Sequence, residues 1–452
     1  MATTSPKWRI ALLSAAAFST LVLLLAASAN RFTLSEWAYT SNIDLASQFK
    51  YQEPVIAGAP VQATGSDNTV HSHDSTPGGV SIPSGTEAGR PAKPHQRIVA
   101  MVFAGRKEYV SILDCYLQRN LVRNGGWLDE VMWVMRTNKT SDIVYIDELT
   151  DQVPEYSQHH VFDEEQDEIK PARKAYKLCH PNTLYIKIDD DILFMEDHAI
   201  STIIQRKIDN PNNLIVSANV INQPTFSWVT QVHLNNAKPY LPEFGKPDDF
   251  VDDDRRHMVD WRASRLPRWK ESEDKAKFDI NSAPPFRGHR WLPLPEGGNL
   301  DQTPIGGLVE NSTSQALKGT SNLLPWTVAA QQHYSFLSHL EDDQLSLYKF
   351  DLWTYENQSR NTNFFAFSGD DVVAHHVHGD DDVWWTVRLP AKLGRPAVLD
   401  GSAVAVHFGT VEQTSEIQDR PGRGLRDTDL LRRYRSYATE FICGKPWGSP
   451  MR

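Results

Sequence analysis

The stretch Arg173–Met195, RKAYKLCHPNTLYIKIDDDILFM, is the most informative part of the 452-residue chain. Its first residues have the pattern of a helix that ends before Pro181. The apolar run Thr183–Ile188 follows, then three aspartates, then a second apolar run, Ile192–Met195. A helix that leads straight into a buried strand is typical of proteins in which strands and helices alternate. The stretch therefore predicts part of an α/β fold.

The same alternation continues on both sides of this stretch. Short apolar runs predict buried strands at residues 97–104, 130–135, 160–162 and 214–220. Helical patterns lie between them, at residues 107–122, 142–151 and 198–207. This order predicts a mostly parallel sheet with helices on both faces. Ligands of such sheets bind beyond the carboxyl ends of the strands.

Three acidic triplets occur in the sequence, and a solvated turn is the ordinary explanation for each. Asp252–Asp254 have no flanking apolar strand and fit that explanation. Asp189–Asp191 lie between two apolar runs, where three carboxylates would repel one another and lose hydration unless a cation compensated them. At the carboxyl end of a strand they would supply hard oxygen ligands for Mn²⁺ or Mg²⁺. We therefore predict a metal site there.

Composition excludes several classes of protein. The 46 basic and 57 acidic residues give a net charge of −11, which argues against a nucleic-acid partner. Apolar residues at 40% and aromatic residues at 10% suffice for a substantial core. The sequence has no GxGxxG after its first strand and no GxxxxGK(S/T), which disfavours a dinucleotide-dependent oxidoreductase and a P-loop ATPase. Three cysteines allow one disulfide at most.

The amino-terminal sequence predicts a transmembrane signal anchor. Residues 10–29 carry no charge, and a helix of that length spans ~30 Å, the thickness of a bilayer core. Lys7 and Arg9 place the tail, residues 1–9, in the cytosol. Residues 30–96 are rich in Gly, Ser, Thr and Pro and predict a disordered stem, which leaves residues 97–452 as a lumenal catalytic domain.

This organisation predicts a single-pass type II protein of the Golgi or ER membrane, bound to that membrane through its anchor. A cleaved signal peptide that ends near Ala27–Ala29 is the alternative.

With this organisation, the segment Tyr185–Ile192, YIKIDDDI, resembles the DxD motif of a GT-A-fold glycosyltransferase. The stretch Arg173–Asp191 is similar to the helix–Cys–Pro–strand–DDD segment of β-1,3-galactosyltransferase-type enzymes. The later stretches AAQQHYSFLSHLE, GDDDVWWTVRLP, AVAVHFG and DTDLLRRY are similar to fungal nucleotide-diphospho-sugar transferases. The resemblance covers residues 97–440. It implies a metal-dependent, inverting transfer of a sugar from a nucleotide-diphosphate sugar to a glycan or glycoconjugate acceptor.

The resemblance also implies roles for individual residues. Asp191 would be the principal ligand of Mn²⁺ or Mg²⁺, Asp189 would hold the ribose or share the metal, and Asp190 would assist in nucleotide binding. His407, at the end of the apolar run in GSAVAVHFG, would be a further metal ligand, with a structural histidine as the alternative. The cation is needed because negative charge develops on the departing nucleoside diphosphate.

The third acidic triplet, Asp380–Asp382, follows Gly379 and resembles the glycine–acidic–Asp motif that begins the acceptor-side helix of inverting enzymes. Asp381, with Asp382 as the next choice, would then be the general base that deprotonates the acceptor hydroxyl. A helix cap is the alternative reading of these aspartates. Of the adjacent Trp384 and Trp385, we expect one to fill the core, with stacking against a sugar ring as the alternative role of these side chains.

The nucleotide is predicted to meet the turn after the first strand, formed by Ala104, Gly105 and Arg106. Basic residues on the helix before the DxD strand are further candidates for contact with the diphosphate, namely Arg173, Lys174 and Lys177. A histidine cluster is an alternative zinc site, formed by His375, His376 and His378.

The catalytic domain is predicted to consist of a nucleotide-binding half at residues 97–220, an insertion or lid at 235–324, and an acceptor-binding half at 326–440. Three tryptophans of the insertion are candidate sugar platforms, namely Trp261, Trp269 and Trp291. Two other functions remain open: a nucleotidyltransferase or pyrophosphatase, and a catalytically inactive GT-A scaffold that binds nucleotide sugars.

Overall fold

The structure is a computed structural model, which describes residues 92–161, 169–223, 235–248, 250, 258–271, 278, 282–306, 325–409 and 424–451. The predicted tail and anchor and nearly all of the stem lie outside these residues. The predicted insertion at 235–324 is covered in part.

The predicted location in a Golgi or ER membrane is corrected. No helix in the ranges given above is long and apolar enough to cross a bilayer. The longest helix there, Trp326–Glu341, has 16 residues, whereas a membrane span needs about 20.

A single large sheet organises the described part of the chain, with strand order β3-β2-β1-β4-β10-β6-β11-β5 and β9 paired to β11. The strands of this sheet are β1 Arg97–Ala104, β2 Glu130–Met135, β3 Tyr156–His160, β4 Thr183–Asp189, β5 Ile192–Met195, β6 Ile215–Ile221, β9 Leu352–Thr354, β10 Phe364–Ser368 and β11 Ala397–His407. A separate antiparallel pair consists of β7 Tyr240–Pro242 and β8 Trp291–Pro293.

Helices connect the strands. They are α1 Lys107–Arg119, α2 Thr140–Gln152, α3 Ile169–Tyr176, α4 Ala199–Asp209, α5 Trp326–Glu341, α6 Gly369–Ala374, α7 Asp381–Val383, α8 Leu389–Leu393 and α9 Leu430–Phe441. A π-helical turn, Trp384–Arg388, joins α7 to α8.

The first four strands form a parallel unit, because the chain returns to the same end of the sheet between one of them and the next. β1 lies between β2 and β4, and β2 pairs with β3. The predicted α/β fold is confirmed. The second half is more mixed than predicted: β10 runs antiparallel between β4 and β6, and β5 and β9 run antiparallel to β11.

Both faces of the sheet are covered, as the near-continuous apolar character of β1 predicts. Ile98, Ala100 and Val102 face a core that includes residues of α1, α2, α4, α5 and α9. Val99, Met101 and Phe103 face the opposite core, which includes residues of α3, α6 and α8 and the π-helical turn.

The strand predicted at 160–162 lies earlier, at Tyr156–His160. It is the edge strand of the sheet, and only Tyr156 of its five residues is buried, so it has no apolar run that the sequence would reveal. The one disulfide that three cysteines allow joins Cys115 of α1 to Cys443, just beyond α9.

Candidate active site

The site is centred on the turn between β4 and β5. Phe103 of β1 is in register with Asp189 of β4, so the end of β1 and the three aspartates lie side by side. The backbone N–H of Gly105 donates to Asp190 Oδ2 over 2.9 Å, and Arg106 Nε donates to Asp190 Oδ1 over 3.1 Å. Parallel pairing of β1 with β4 thus brings the predicted nucleotide turn to the DxD segment.

Two aspartates of this turn are buried and share one arginine. Arg106 forms an ion pair with Asp190 and places Nη2 at 3.0 Å from Asp191 Oδ2. Burial raises the pKa of Asp190, although the Arg106 guanidinium opposes that shift. Burial acts on Asp191 in the same direction, but the His407 imidazole and Arg106 outweigh it and hold the pKa of Asp191 well below its usual range. Asp191 is therefore an anion at neutral pH.

His407 ends β11, whose pairing with β5 brings it to the same turn. Its Nε2 lies 3.2 Å from Asp191 Oδ2, and the next residue, Phe408, donates its N–H to the Asp191 carbonyl over 2.8 Å. Burial lowers the pKa of His407, but the Asp191 carboxylate more than offsets this and raises it. The two residues, 216 positions apart in sequence, are thus brought together.

Two buried atoms of this pair have no hydrogen-bond partner among the described residues, namely Asp191 Oδ1 and His407 Nδ1. An unpartnered buried carboxylate oxygen is costly unless something else satisfies it. A carboxylate and an imidazole are ligands that suit Mn²⁺. The donor set therefore fits a divalent cation.

Asp189 has different neighbours. Its Oδ1 lies 2.8 Å from Lys187 Nζ, and its Oδ2 accepts from Asn363 Nδ2 over 3.0 Å. Within the part of the chain that the structure describes, no group of three or more His, Cys, Asp or Glu side chains is arranged to hold a metal. The structure thus brings Asp191 and His407 together, whereas the Asp189 carboxylate contacts a lysine and an amide.

The second acidic group lies at the start of α7. Asp380 is the helix cap, because its Oδ1 accepts from the N–H of Val383 over 2.9 Å. Asp381 Oδ2 accepts from the Tyr176 hydroxyl over 3.3 Å. Asp382 Oδ1 accepts from the backbone N–H of Thr362 over 2.8 Å and also from its hydroxyl. The capping role therefore falls to Asp380, which is not one of the two predicted bases.

Burial raises the pKa of Asp382 to about 7, with a further contribution from the neighbouring Asp381 carboxylate and opposition from Lys187. A carboxylate with a pKa near 7 exchanges a proton at neutral pH, which is the property that general bases require.

Lys187, Thr362 and Asn363 are site residues that sequence reasoning missed. The Lys187 ammonium is buried between Asp189 and the Thr362 carbonyl, to which it donates over 2.8 Å. Burial alone would lower the pKa of Lys187, but the surrounding carboxylates, Asp189 first among them, raise it above its ordinary value. The sequence does mark Lys187, because it is a charged residue inside the apolar run TLYIKI. Thr362 and Asn363 have no comparable mark in the sequence.

Other predicted contacts lie elsewhere. The Ala104 carbonyl accepts from the backbone N–H of Arg136 over 2.8 Å, so that backbone atom is already bonded. Arg173 and Lys177 line a cavity with His376 and His378, rather than the turn at Gly105. The histidine cluster forms no metal site with three ligands in the residues described.

The tryptophans are mostly core residues. Trp385 is fully buried and Trp384 nearly so. The predicted sugar platforms Trp261, Trp269 and Trp291 are also buried, which corrects that expectation: their rings pack against other side chains and leave no free face for a sugar. Packing against other rings buries these side chains, although the sequence of this region has no periodic apolar pattern.

No protein family model matches the sequence, and no curated protein matches it. Comparison with solved structures finds partial similarities at low identity. They include GalNAc-T7 with UDP, GalNAc and Mn²⁺ (9% identity, TM-score 0.33, 76% of this chain and 50% of that chain). They also include the mannosyltransferase PcManGT from Pyrobaculum calidifontis with GDP-Man and Mn²⁺ (14%, 0.24, 32% and 41%).

A third similar structure is 4-diphosphocytidyl-2C-methyl-D-erythritol synthase from Anaerococcus prevotii (16% identity, TM-score 0.22, 35% of this chain and 62% of that chain). This chain thus covers between 41% and 62% of the length of these three proteins. Because these TM-scores are low, the similarities carry no conclusion about function. The geometry of the site defines an α/β domain with a cluster of buried carboxylates at the carboxyl end of its parallel strands.

Proposed function

We propose that this chain is a divalent-metal-dependent, inverting glycosyltransferase that moves a sugar from a nucleotide-diphosphate sugar to a glycan or glycoconjugate acceptor. The observation that carries the proposal is the contact between Asp191 and His407 beside the Gly105–Arg106 turn. It joins a carboxylate, an imidazole and a guanidinium at the strand end where α/β sheets bind ligands.

Asp191 and His407 would hold Mn²⁺ or Mg²⁺. Two protein ligands suffice for such a cation, because substrate phosphates and water complete its shell. When bound, the cation stabilises the negative charge of the leaving diphosphate as a Lewis acid. Arg106 lies where it would contact the same diphosphate. Asp190 accepts from the Arg106 guanidinium and so fixes the orientation of that side chain.

Asp382 is the residue that we assign as general base, in place of our first choice from the sequence, Asp381. Its carboxylate takes the proton of the acceptor hydroxyl while that oxygen bonds to the anomeric carbon of the donor sugar. The bond from the anomeric carbon to the diphosphate breaks, and the nucleoside diphosphate leaves with the electron pair. Attack opposite the leaving group inverts the anomeric configuration. The Thr362 N–H donates to the Asp382 carboxylate and so orients the base. The Lys187 ammonium compensates the negative charge of Asp189 and of Asp382.

One observation favours a second candidate, the inactive GT-A scaffold. Arg106 contacts both Asp190 and Asp191 and supplies positive charge where the cation would lie. If the arginine replaces the metal permanently, the chain would bind no Mn²⁺ and catalyse no transfer. The two candidates therefore differ in metal-dependent nucleotide binding.

Thermal unfolding of the full chain with a panel of nucleoside diphosphates and nucleotide sugars, with and without Mn²⁺, tests the proposal. A ligand of the native state at 100 times its Kd stabilises by about 2.7 kcal/mol. We expect stabilisation that needs Mn²⁺ and that disappears in Asp191→Ala. The matched control is Asp151→Ala, which removes an exposed carboxylate at the end of α2. Stabilisation by no nucleotide would refute the proposal.

A further inference from the structure

A cavity of about 450 Å³ lies beside α3, outside the cluster of carboxylates. Basic and titratable side chains line much of it, namely Arg173, Lys174, Lys177, His376 and His378. None of the described residues that line it is acidic. A cavity of this size is within the range of about 300–1,000 Å³ that small-molecule sites occupy.

One cationic side chain of the lining, Arg173, is not fully hydrogen-bonded among the described residues. Arg173 Nε is buried and has no hydrogen-bond partner among the residues described. Two other arginines, Arg119 and Arg433, are buried and are paired with Asp197 and Asp429. A buried N–H donor without an acceptor is costly, and an anionic ligand that accepted from it would remove that cost.

The cavity contacts Asp381, the residue before the proposed base, and does not contact the proposed metal ligands. Tyr176 lines it and donates its hydroxyl to Asp381 Oδ2 over 3.3 Å. The His378 ring, also in the lining, packs edge-on against Trp384 at 5.3 Å between centroids. Gly105, Arg106, Asp191 and His407 are absent from the lining. The anion that this cavity suits therefore differs from the donor's diphosphate.

We propose that this cavity binds an oxyanion of the acceptor substrate, a carboxylate or a phosphate or sulfate ester, and so positions an acceptor hydroxyl at Asp381 and Asp382. The proposal rests on the proposed function, because it assigns the acceptor of that reaction to an acidic class. Arg173 would bind the oxyanion through parallel N–H donors, and Lys177 would add a point charge at the exposed mouth.

The test is a calorimetric titration of the full chain at constant ionic strength with three probes: glucuronate, glucose 6-phosphate and glucose. We expect at least one of the two anionic sugars to bind and neutral glucose not to bind. The double variant Arg173→Gln/Lys177→Gln should weaken that affinity at least about tenfold, since hydrogen bonds to charged groups are lost. Lys392→Gln, the same change at an exposed position of α8, is the matched control and should leave it unchanged.

A second titration uses uridine and guanosine diphosphates with Mn²⁺ on the same variants. We expect the double variant to bind the preferred nucleotide as the unaltered chain does. An equal loss of nucleotide affinity would assign the cavity to the donor's diphosphate and overturn the inference. Failure of both anionic sugars to bind while a nucleotide binds would also overturn it. Failure of every nucleotide would refute the proposed function instead.

If the double variant does not fold, Lys177→Gln alone decides the question, because Lys177 is exposed and its change leaves the core intact. It should weaken binding of the anionic sugar several-fold. An unchanged affinity in a folded Lys177→Gln variant would count against the inference.

Discussion

Replacement of Asp382 by Asn should stabilise the protein at high pH and change its stability little at low pH. The pKa of Asp382 is raised from its ordinary value of 3.8 to about 7, chiefly by burial. The folded protein therefore keeps a proton that the unfolded chain releases between those two values. The favourable contribution of this group is complete below pH 4 and is lost as the pH rises through 7. At 1.36 kcal/mol per pH unit, the difference amounts to about 4 kcal/mol.

Asparagine is the appropriate replacement because its side chain matches the neutral acid in shape. Its amide oxygen can still accept from the Thr362 N–H, the bond that Asp382 Oδ1 accepts over 2.8 Å. The free energy of unfolding would be measured in urea at intervals from pH 4 to pH 8.5, with tryptophan fluorescence and circular dichroism as independent probes. The variant should exceed the unaltered chain by an amount that grows from near zero to about 4 kcal/mol.

Asp151→Asn is the control for loss of one negative charge at an exposed position. A gap between Asp382→Asn and the unaltered chain that stays constant from pH 4 to pH 8.5 would refute the argument. A gap that shrinks as the pH rises would refute it more strongly, because Asp382 would then be stabilised as the anion. In either case Asp382 would lose its support as the general base.

Three further changes test how the fold is held together, each by the free energy of unfolding in urea. Cys443→Ser should lose about 2–5 kcal/mol, because it opens the bridge to Cys115, and the unaltered chain in reductant should lose the same amount. If neither change lowered the free energy of unfolding, the bridge would be contradicted. Trp385→Ala should lose about 3–5 kcal/mol as a fully buried side chain, and a loss near zero would contradict its core role. Arg119→Met should lower the free energy of unfolding by about 3 kcal/mol, because it leaves the Asp197 carboxylate without its cationic partner. Adding Asp197→Asn should restore part of that loss.

The sequence was most informative where local pattern and tertiary position coincide. The run Thr183–Ile188 is buried on both faces of the sheet, so its apolar character predicted β4 with an error of one residue. The three aspartates after it interrupt an apolar sequence, and such an interruption indicated a site before any contact was known. His407 was found in the same way, at the end of the apolar strand β11.

The sequence was least informative where a role depends on contacts between distant segments. Thr362 contacts Asp382, 20 residues away, and Asn363 contacts Asp189, 174 residues away, and neither position is marked by a motif. The choice of Asp382 over Asp381 depends on burial, which sequence spacing does not reveal.

Aromatic residues were misread for a related physical reason. A tryptophan in a region of low periodicity looks the same in sequence whether it faces solvent or packs against another ring. Trp261 packs edge-on against Tyr437 at 5.0 Å, and Trp291 against Trp326 at 5.8 Å. Only those partners, which are distant in sequence, show that the rings have no free face.

We infer that Asp191 and His407 form a cation-dependent site for a nucleotide-diphosphate sugar. The most direct test of this inference is the release of nucleoside diphosphate from a panel of nucleotide sugars by the full chain in Mn²⁺, with Asp191→Ala and Asp151→Ala beside it. We predict release that requires the cation, persists in Asp151→Ala and falls at least about 100-fold in Asp191→Ala. Equal rates in Asp191→Ala and the unaltered chain, or equal rates with and without Mn²⁺, would contradict the claim.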